Sequence, residues 1–144
     1  MNDKSINKLT SIQDDIESLA SSNPIKPEIV CISKTFSINQ IKPLIDHGHI
    51  HFGENKLQEA EKKWTEIKKA KKELKLHMVG KLQSNKAKKA VELFDFIHSL
   101  DSSKLGDILK KREIELKKKL SYFIQINIGD ETQKGGISPN NARE

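Results

Sequence analysis

Cysteine, arginine and aromatic residues are scarce in this chain of 144 residues, and it has no long apolar run. The single cysteine, Cys31, excludes an internal disulfide and a zinc site built from several thiolates. The longest apolar run, Tyr122 to Ile128, carries two polar interruptions and falls far short of the ~18–20 residues a membrane-spanning helix needs. Met1 to Ala20 shows no basic stretch followed by an apolar one, so a secretory leader is not expected. These absences lead to the expectation of a soluble, cytoplasmic protein without membrane contact. Arginine occurs only as Arg112 and Arg143, against 24 lysines. The basic excess is central, with +8 over residues 51–120 and −1 on either side. A nucleic-acid surface ordinarily adds arginine, whose planar fork suits phosphates and base edges, so its scarcity argues against a nucleic-acid partner. Lysine, isoleucine and asparagine also share AT-rich codons, which offers a compositional source for the bias. Neither GxGxxG after a first strand nor GxxxxGK[ST] is present, which removes weight from nucleotide-binding folds.

What is present is a repeating alternation of strand and helix patterns. Ile6, Leu9, Ile12, Ile16 and Leu19 put one apolar face on a helix over 5–20, ended by Ser21-Ser22-Asn23-Pro24. Ile29 to Ile32 is short, β-branched and bounded by Pro27 and Ser33, as a buried strand would be. Ser37 can cap a helix carrying Ile38, Ile41, Leu44 and Ile45, in which Pro43 removes a donor and predicts a kink, and Gly48 ends it. Residues 49–53 read as a second strand, Leu57, Ala60, Trp64 and Ile67 as a helix, and Leu74 to Val79 as a third strand closed by Gly80. Ala87, Ala90, Val91 and Phe94 mark a helix that Ser84 or Asn85 could cap. Phe96 to Leu100 is a fourth strand, Leu105, Ile108, Leu109 and Leu116 a further helix, and Tyr122 to Ile128 a fifth strand. After it the chain is polar and glycine-rich, with no further apolar element expected. Strands beginning near 29, 49, 75, 96 and 121 form a run of βα units, hence a parallel sheet. The candidates are a doubly wound sheet and part of a (β/α)₈ barrel.

In both architectures ligands sit at the C-terminal ends of the strands. Those ends carry Ser33-Lys34-Thr35, Gly53-Glu54-Asn55, Gly80 to Lys86, Ser99 to Ser102, and Asn127 with Gly129-Asp130. Lys34 is the sharpest of these. Desolvation at a strand end would favour its neutral amine, the form that condenses with an aldehyde. A lysine that snorkels to solvent is the plain structural alternative, and Lys81 and Lys86 are rivals. Gly53-Glu54-Asn55 reads as a tight turn with an ion-paired glutamate and a helix-capping asparagine. His77 reads as a packing histidine. His47, His49 and His51 alternate as if on one strand face, but no third ligand accompanies a pair of them, so no metal site is expected. Cys31 reads as a small buried hydrophobe, Trp64 as packing, and residues 68–75 as a solvated helix end.

The segments HFGENKLQEAEKKW (51–64), HMVGKLQSNKAKKA (77–90), FIHSLDSSKL (96–105) and QINIGDETQKGGI (125–137), following Ser33-Lys34-Thr35, occur in an order that resembles the pyridoxal phosphate homeostasis protein family. The resemblance runs from about residue 28 to 138. It implies the alanine racemase-like fold, a (β/α)₈ barrel that binds pyridoxal 5′-phosphate. It also implies that Lys34 forms the internal aldimine, that Asn55 lies near the cofactor ring, and that His77 and residues 82–86 line the same mouth. Lys134 matches the lysine of the fifth-strand motif. The implied role is not an enzyme's. It is that of a carrier that keeps intracellular vitamin B6 balanced, with the cofactor and cofactor-dependent apoenzymes as partners.

Five βα units are fewer than the barrel requires, so the expectation is a single incomplete alanine racemase-like domain over 1–144, lacking the last strands and the phosphate loops they carry. Such a chain would have open sheet edges and exposed apolar faces. It could then be a remnant without function, or half of a split protein completed by a complementary C-terminal fragment. A reading of a different class is a basic module that binds RNA or another polyanion through lysine-rich helices at 62–75 and 110–119.

Overall fold

The structure, a computed structural model, describes residues 4–20 and 25–143. The expected helix stop at 21–24 lies outside the described residues. Helix α1 (Lys4–Leu19) buries Leu9 and packs against α2 (Ile38–Asp46). Strands β1 (Cys31–Ile32), β2 (His51–Glu54), β3 (Lys75–Met78), β4 (Phe96–Leu100) and β5 (Ser121–Ile124) alternate with α2, α3 (Leu57–Ala70), α4 (Ala87–Leu93) and α5 (Ser103–Leu116).

The five strands form one parallel sheet in the order β1-β2-β3-β4-β5. A monotonic order settles the choice the sequence left open. Each crossover steps the same way along the sheet, and right-handed crossovers then put every helix on the same face. A doubly wound sheet reverses its order at a switch point, and this one does not. The fold is a partial (β/α) barrel. On the helix-covered face, Phe52, Leu76, Met78 and Ile97 pack against Trp64, Ala90, Val91 and Leu109 in one apolar cluster. The Phe52 and Trp64 rings lie 5.0 Å apart. The other face carries His51, His77, His98, Phe96 and Phe123. A Cβ on Gly53 would point among Val30, Ile32 and Val79 there. Exposed apolar side chains lie at both sheet margins, with Ile32 in β1 and Phe123, Ile124, Ile126 and Ile128 in and after β5.

Several local expectations change. Strand β1 is confined to Cys31–Ile32, and Cys31 is half-buried rather than buried. His47 caps the C-terminus of α2, and Gly48 then turns the chain with φ +95°, so His47 and His51 do not share a strand face. Ser37 does stand at the N-cap of α2, its N–H donating to Gln40 Oε1 at 3.0 Å, and Pro43 is held inside the helix. Ser84 and Asn85 form a 3₁₀ turn with Lys86 instead of capping α4, which begins at Ala87. Strand β5 ends at Ile124, because Asn127 turns the chain. Its side chain donates to Glu131 O and accepts from Glu131 N–H. Ile137 then returns to form a parallel bridge with Ile126, an apolar contact that the polar tail concealed. Gly136, at φ +115°, makes the return, and a Cβ there would stand 2.8 Å from Asn127 N.

Candidate functional site

The site begins at the end of β1. Ser33 continues the ladder, its N–H donating to Gly53 O at 2.9 Å, and the chain turns at Lys34 and at Thr35, which has φ +66°. The register pairs Ile32 with Gly53, and Lys34 and Asn55 each come two residues further on, beyond the strands. His77 is paired with Gly53, one pleat lower. Side chains alternate between the faces of a strand, so His77 and the Gly53 paired with it lie on the face the helices leave open, while Lys34 and Asn55 follow the ends of β1 and β2.

Lys34 is exposed. The desolvation expected of it is not seen, because it projects from a turn beyond the strand end and no helix covers that face. Its neighbour Ser33 is 3% exposed and enters a buried polar cluster on the helix side. Ser33 Oγ donates to Glu54 Oε1 at 2.8 Å, as do Lys63 Nζ at 2.8 Å and Trp64 Nε1–H at 2.9 Å. Glu54 and Trp64 are fully buried, and the Lys63 side chain is 8% exposed. A carboxylate in such a place is tolerated only with a cation and hydrogen bonds. Lys63 also donates to Ser33 O at 2.8 Å and to Glu59 Oε1 at 3.0 Å, and Glu59 Oε1 accepts the Thr35 N–H at 2.7 Å. The Lys63 hydrogen bond and then the Thr35 N–H hold the Glu59 carboxyl below the usual range.

Glu54 is thus the ion-paired glutamate the sequence suggests. Asn55 is not the expected helix cap: Lys56 holds that position in α3 without a side-chain bond, and the buried Oδ1 of Asn55 has no hydrogen-bond partner among the described residues. The loop after β3 presses on it, since a Cβ on Gly80 would stand 2.0 Å from Asn55 O. Beside Asn55, an open cleft of about 720 Å³ is lined by Lys56, Gln58, Lys81, Gln83 and Lys86 among others, and Lys34 does not line it. Within the 82–86 segment Leu82 is buried and the other four side chains are exposed.

His77 is 4% exposed and sits in a histidine chain that sequence spacing alone does not reveal. His51 Nδ1 lies 2.9 Å from His77 Nε2, and His77 Nδ1 lies 2.9 Å from His98 Nε2. The His77 ring stacks on Phe96 at 4.2 Å. Glu28 Oε2 accepts a hydrogen bond from His51 Nε2 at 2.6 Å. With neutral rings, each histidine then donates through Nε2 and accepts through Nδ1. Burial, and after it the neighbouring imidazoles of His98 and His51, push His77 down to about 4. Both of its nitrogens are committed to other histidines. Lys134 lies elsewhere, exposed in the loop after β5 and paired with Glu131 at 2.8 Å. Among the described residues no three His, Cys, Asp or Glu side chains converge as metal ligands, and no helix is long and apolar enough to cross a membrane.

Comparison with known proteins follows the same outline. The family described as alanine racemase, N-terminal domain, matches residues 8–144. The pyridoxal phosphate homeostasis protein of Pasteurella multocida is 39% identical over 113 residues, covering 78% of this chain and 48% of that protein. PipY of Synechococcus elongatus, solved without pyridoxal phosphate, superimposes with a TM-score of 0.78 at 37% identity, over 92% of this chain and 61% of PipY. The same protein with pyridoxal phosphate bound gives 0.72 at 36% identity, over 92% and 60%. An alanine racemase of Clostridium difficile shares the fold, with a TM-score of 0.64 at 14% identity, over 93% of this chain and 34% of that one. The chain spans about half the length of the curated relatives it matches.

Proposed function

The chain belongs to the alanine racemase N-terminal domain family, and from that premise we propose that it binds pyridoxal 5′-phosphate through Lys34 and serves the balance of that cofactor inside the cell. The observation that carries this reading is an exposed primary amine at the C-terminal end of β1, the sheet end where the buried Oδ1 of Asn55, following β2, has no hydrogen-bond partner among the described residues. The relatives named for pyridoxal phosphate homeostasis, and PipY with the cofactor bound, support it.

The residues present fit the aldehyde end of the cofactor. When bound, the cofactor supplies an aldehyde with which a primary amine condenses, losing one water, and from which it is freed by exchange with another amine. Lys34 Nζ, open to water, would act as that amine. Asn55 Oδ1 is an acceptor in want of a donor, so it would orient a ligand hydroxyl or N–H. The resemblance assigns His77 to the same mouth. Its nitrogens are engaged by His51 and His98, and Glu54 is turned to the helix side, so neither stands free beside Lys34 as a general base. The role we propose is a carrier's, as the homeostasis name of the relatives suggests, rather than that of an enzyme with turnover. Its partners would be acceptor amines, such as those of cofactor-requiring apoenzymes, and a complementary chain carrying further strands.

The polyanion reading loses three of its twelve lysines to internal contacts. Lys63 is spent inside the Glu54 cluster, Lys68 on Leu93 O and Asp95, and Lys118 on Glu92 O and Phe94 O. The test is an absorbance titration with pyridoxal phosphate. The wild-type chain should develop a band near ~420 nm that Lys34→Ala lacks, and a band of equal strength in the variant would overturn the assignment.

A further inference from the structure

We propose that Glu59 and Lys63, one turn apart on α3, act as a positioning clamp that grips the two peptide units on either side of Lys34 and so aims its amine. This deepens the reading of Lys34 as the cofactor-binding residue and rests on it. A residue's backbone direction is set by the two peptide planes that meet at its Cα. The first plane here contains the Ser33 carbonyl, which accepts from Lys63 Nζ at 2.8 Å. The second contains the Thr35 N–H, which donates to Glu59 Oε1 at 2.7 Å. The two gripping side chains are themselves joined, Lys63 Nζ to Glu59 Oε1 at 3.0 Å, as an i,i+4 pair.

The grip is anchored from below. Lys63 is also bonded to Glu54 Oε1, which receives Ser33 Oγ and the Trp64 indole as well, so the cation cannot swing away without leaving a fully buried carboxylate unpaired. The arrangement explains why a turn containing Thr35 at φ +66° stays in place although its own side chains are exposed. A non-glycine residue in that region is held by its surroundings, not by preference. Glu59 lines the cleft beside Asn55 and Lys63 does not, but neither is assigned a part in the chemistry. They act on Lys34 through its backbone.

The experiment uses the full chain and compares wild type with Glu59→Ala and Glu59→Gln. Glu59 is the safer position to change, because its side chain is 30% exposed and the cation that neutralises Glu54 is Lys63, which the substitution leaves in place. Lys34 is labelled in two ways, each followed by peptide mapping. Pyridoxal phosphate with borohydride demands a directed amine, whereas formaldehyde with cyanoborohydride marks any accessible one. The clamp predicts that Glu59→Ala slows pyridoxal phosphate trapping at Lys34 about tenfold while formaldehyde labelling there stays within about twofold. Glu59→Gln, which keeps an oxygen for the Thr35 N–H, should recover trapping to within about threefold of wild type. Loss of fold alone would change both labels and would not be rescued in this way. Unchanged trapping at Lys34 in a folded Glu59→Ala chain overturns the clamp. If the wild type itself does not trap at Lys34, the cofactor reading fails, and the clamp is then judged by amide hydrogen exchange. Slow exchange at Thr35 that Glu59→Ala accelerates upholds the grip, and fast exchange in the wild type overturns it.

Discussion

Gly80 and Asn55 meet backbone to backbone, so closely that a Cβ on Gly80 would lie 2.0 Å from the Asn55 carbonyl oxygen. The loops after β2 and β3 therefore touch where the candidate site lies. A methyl group cannot enter without moving main chain, because the obstacle is a carbonyl and not the end of a flexible side chain. Gly80→Ala should lower stability by about 1–3 kcal/mol and weaken ligand binding beside Asn55. Urea unfolding and a cofactor titration on the same variant measure the two effects. An unchanged midpoint would show that the loops are not in contact.

The Glu54–Lys63 pair gives two substitutions of unequal severity. Lys63→Met leaves the fully buried Glu54 carboxylate without its cation and should cost about 3–5 kcal/mol. Glu54→Gln leaves Lys63 paired with Glu59 and keeps an acceptor oxygen, so about 1–3 kcal/mol is expected. Urea midpoints should rank wild type above Glu54→Gln above Lys63→Met. The opposite order would mean that the buried carboxylate is not ionised.

The histidine chain makes stability depend on pH. His77 is held down at about 4, chiefly by burial. An unfolded histidine titrates near ~6.5, so between those values the unfolded chain binds more protons than the folded one. Stability from this source is complete above about pH 6.5 and is lost as the pH falls through about 4, on the order of 3 kcal/mol in all. Unfolding free energies measured across that window should slope downward with acid, and His77→Gln should flatten the slope. An equal slope in the variant would assign the effect to other groups.

The βα alternation was legible because parallel strands and their crossover helices have separate periods, and all five strands lie where the apolar runs put them. The ends were less legible. Asn127, through its own hydrogen bonds to Glu131, stops β5 before the apolar run stops. At the site, Lys34 and Asn55 could be picked as strand-end residues. Sequence spacing did not show that α3 would send Lys63 and Glu59 back to the peptides beside Lys34, since a 30-residue separation carries no local signal. The His51–His77–His98 chain was hidden for the same reason. It is written in the registers of three strands, and the nearer pattern of His47, His49 and His51 pointed elsewhere. Trp64 sits where its helical spacing suggests, and only the structure shows that its indole N–H serves Glu54.

The most direct measurement is to mix the full chain with pyridoxal phosphate, trap with borohydride, and map the modified peptides by mass. The account predicts one dominant adduct, on Lys34, at near-stoichiometric yield. Adducts scattered over many of the 24 lysines, with Lys34 no richer than the rest, would contradict it.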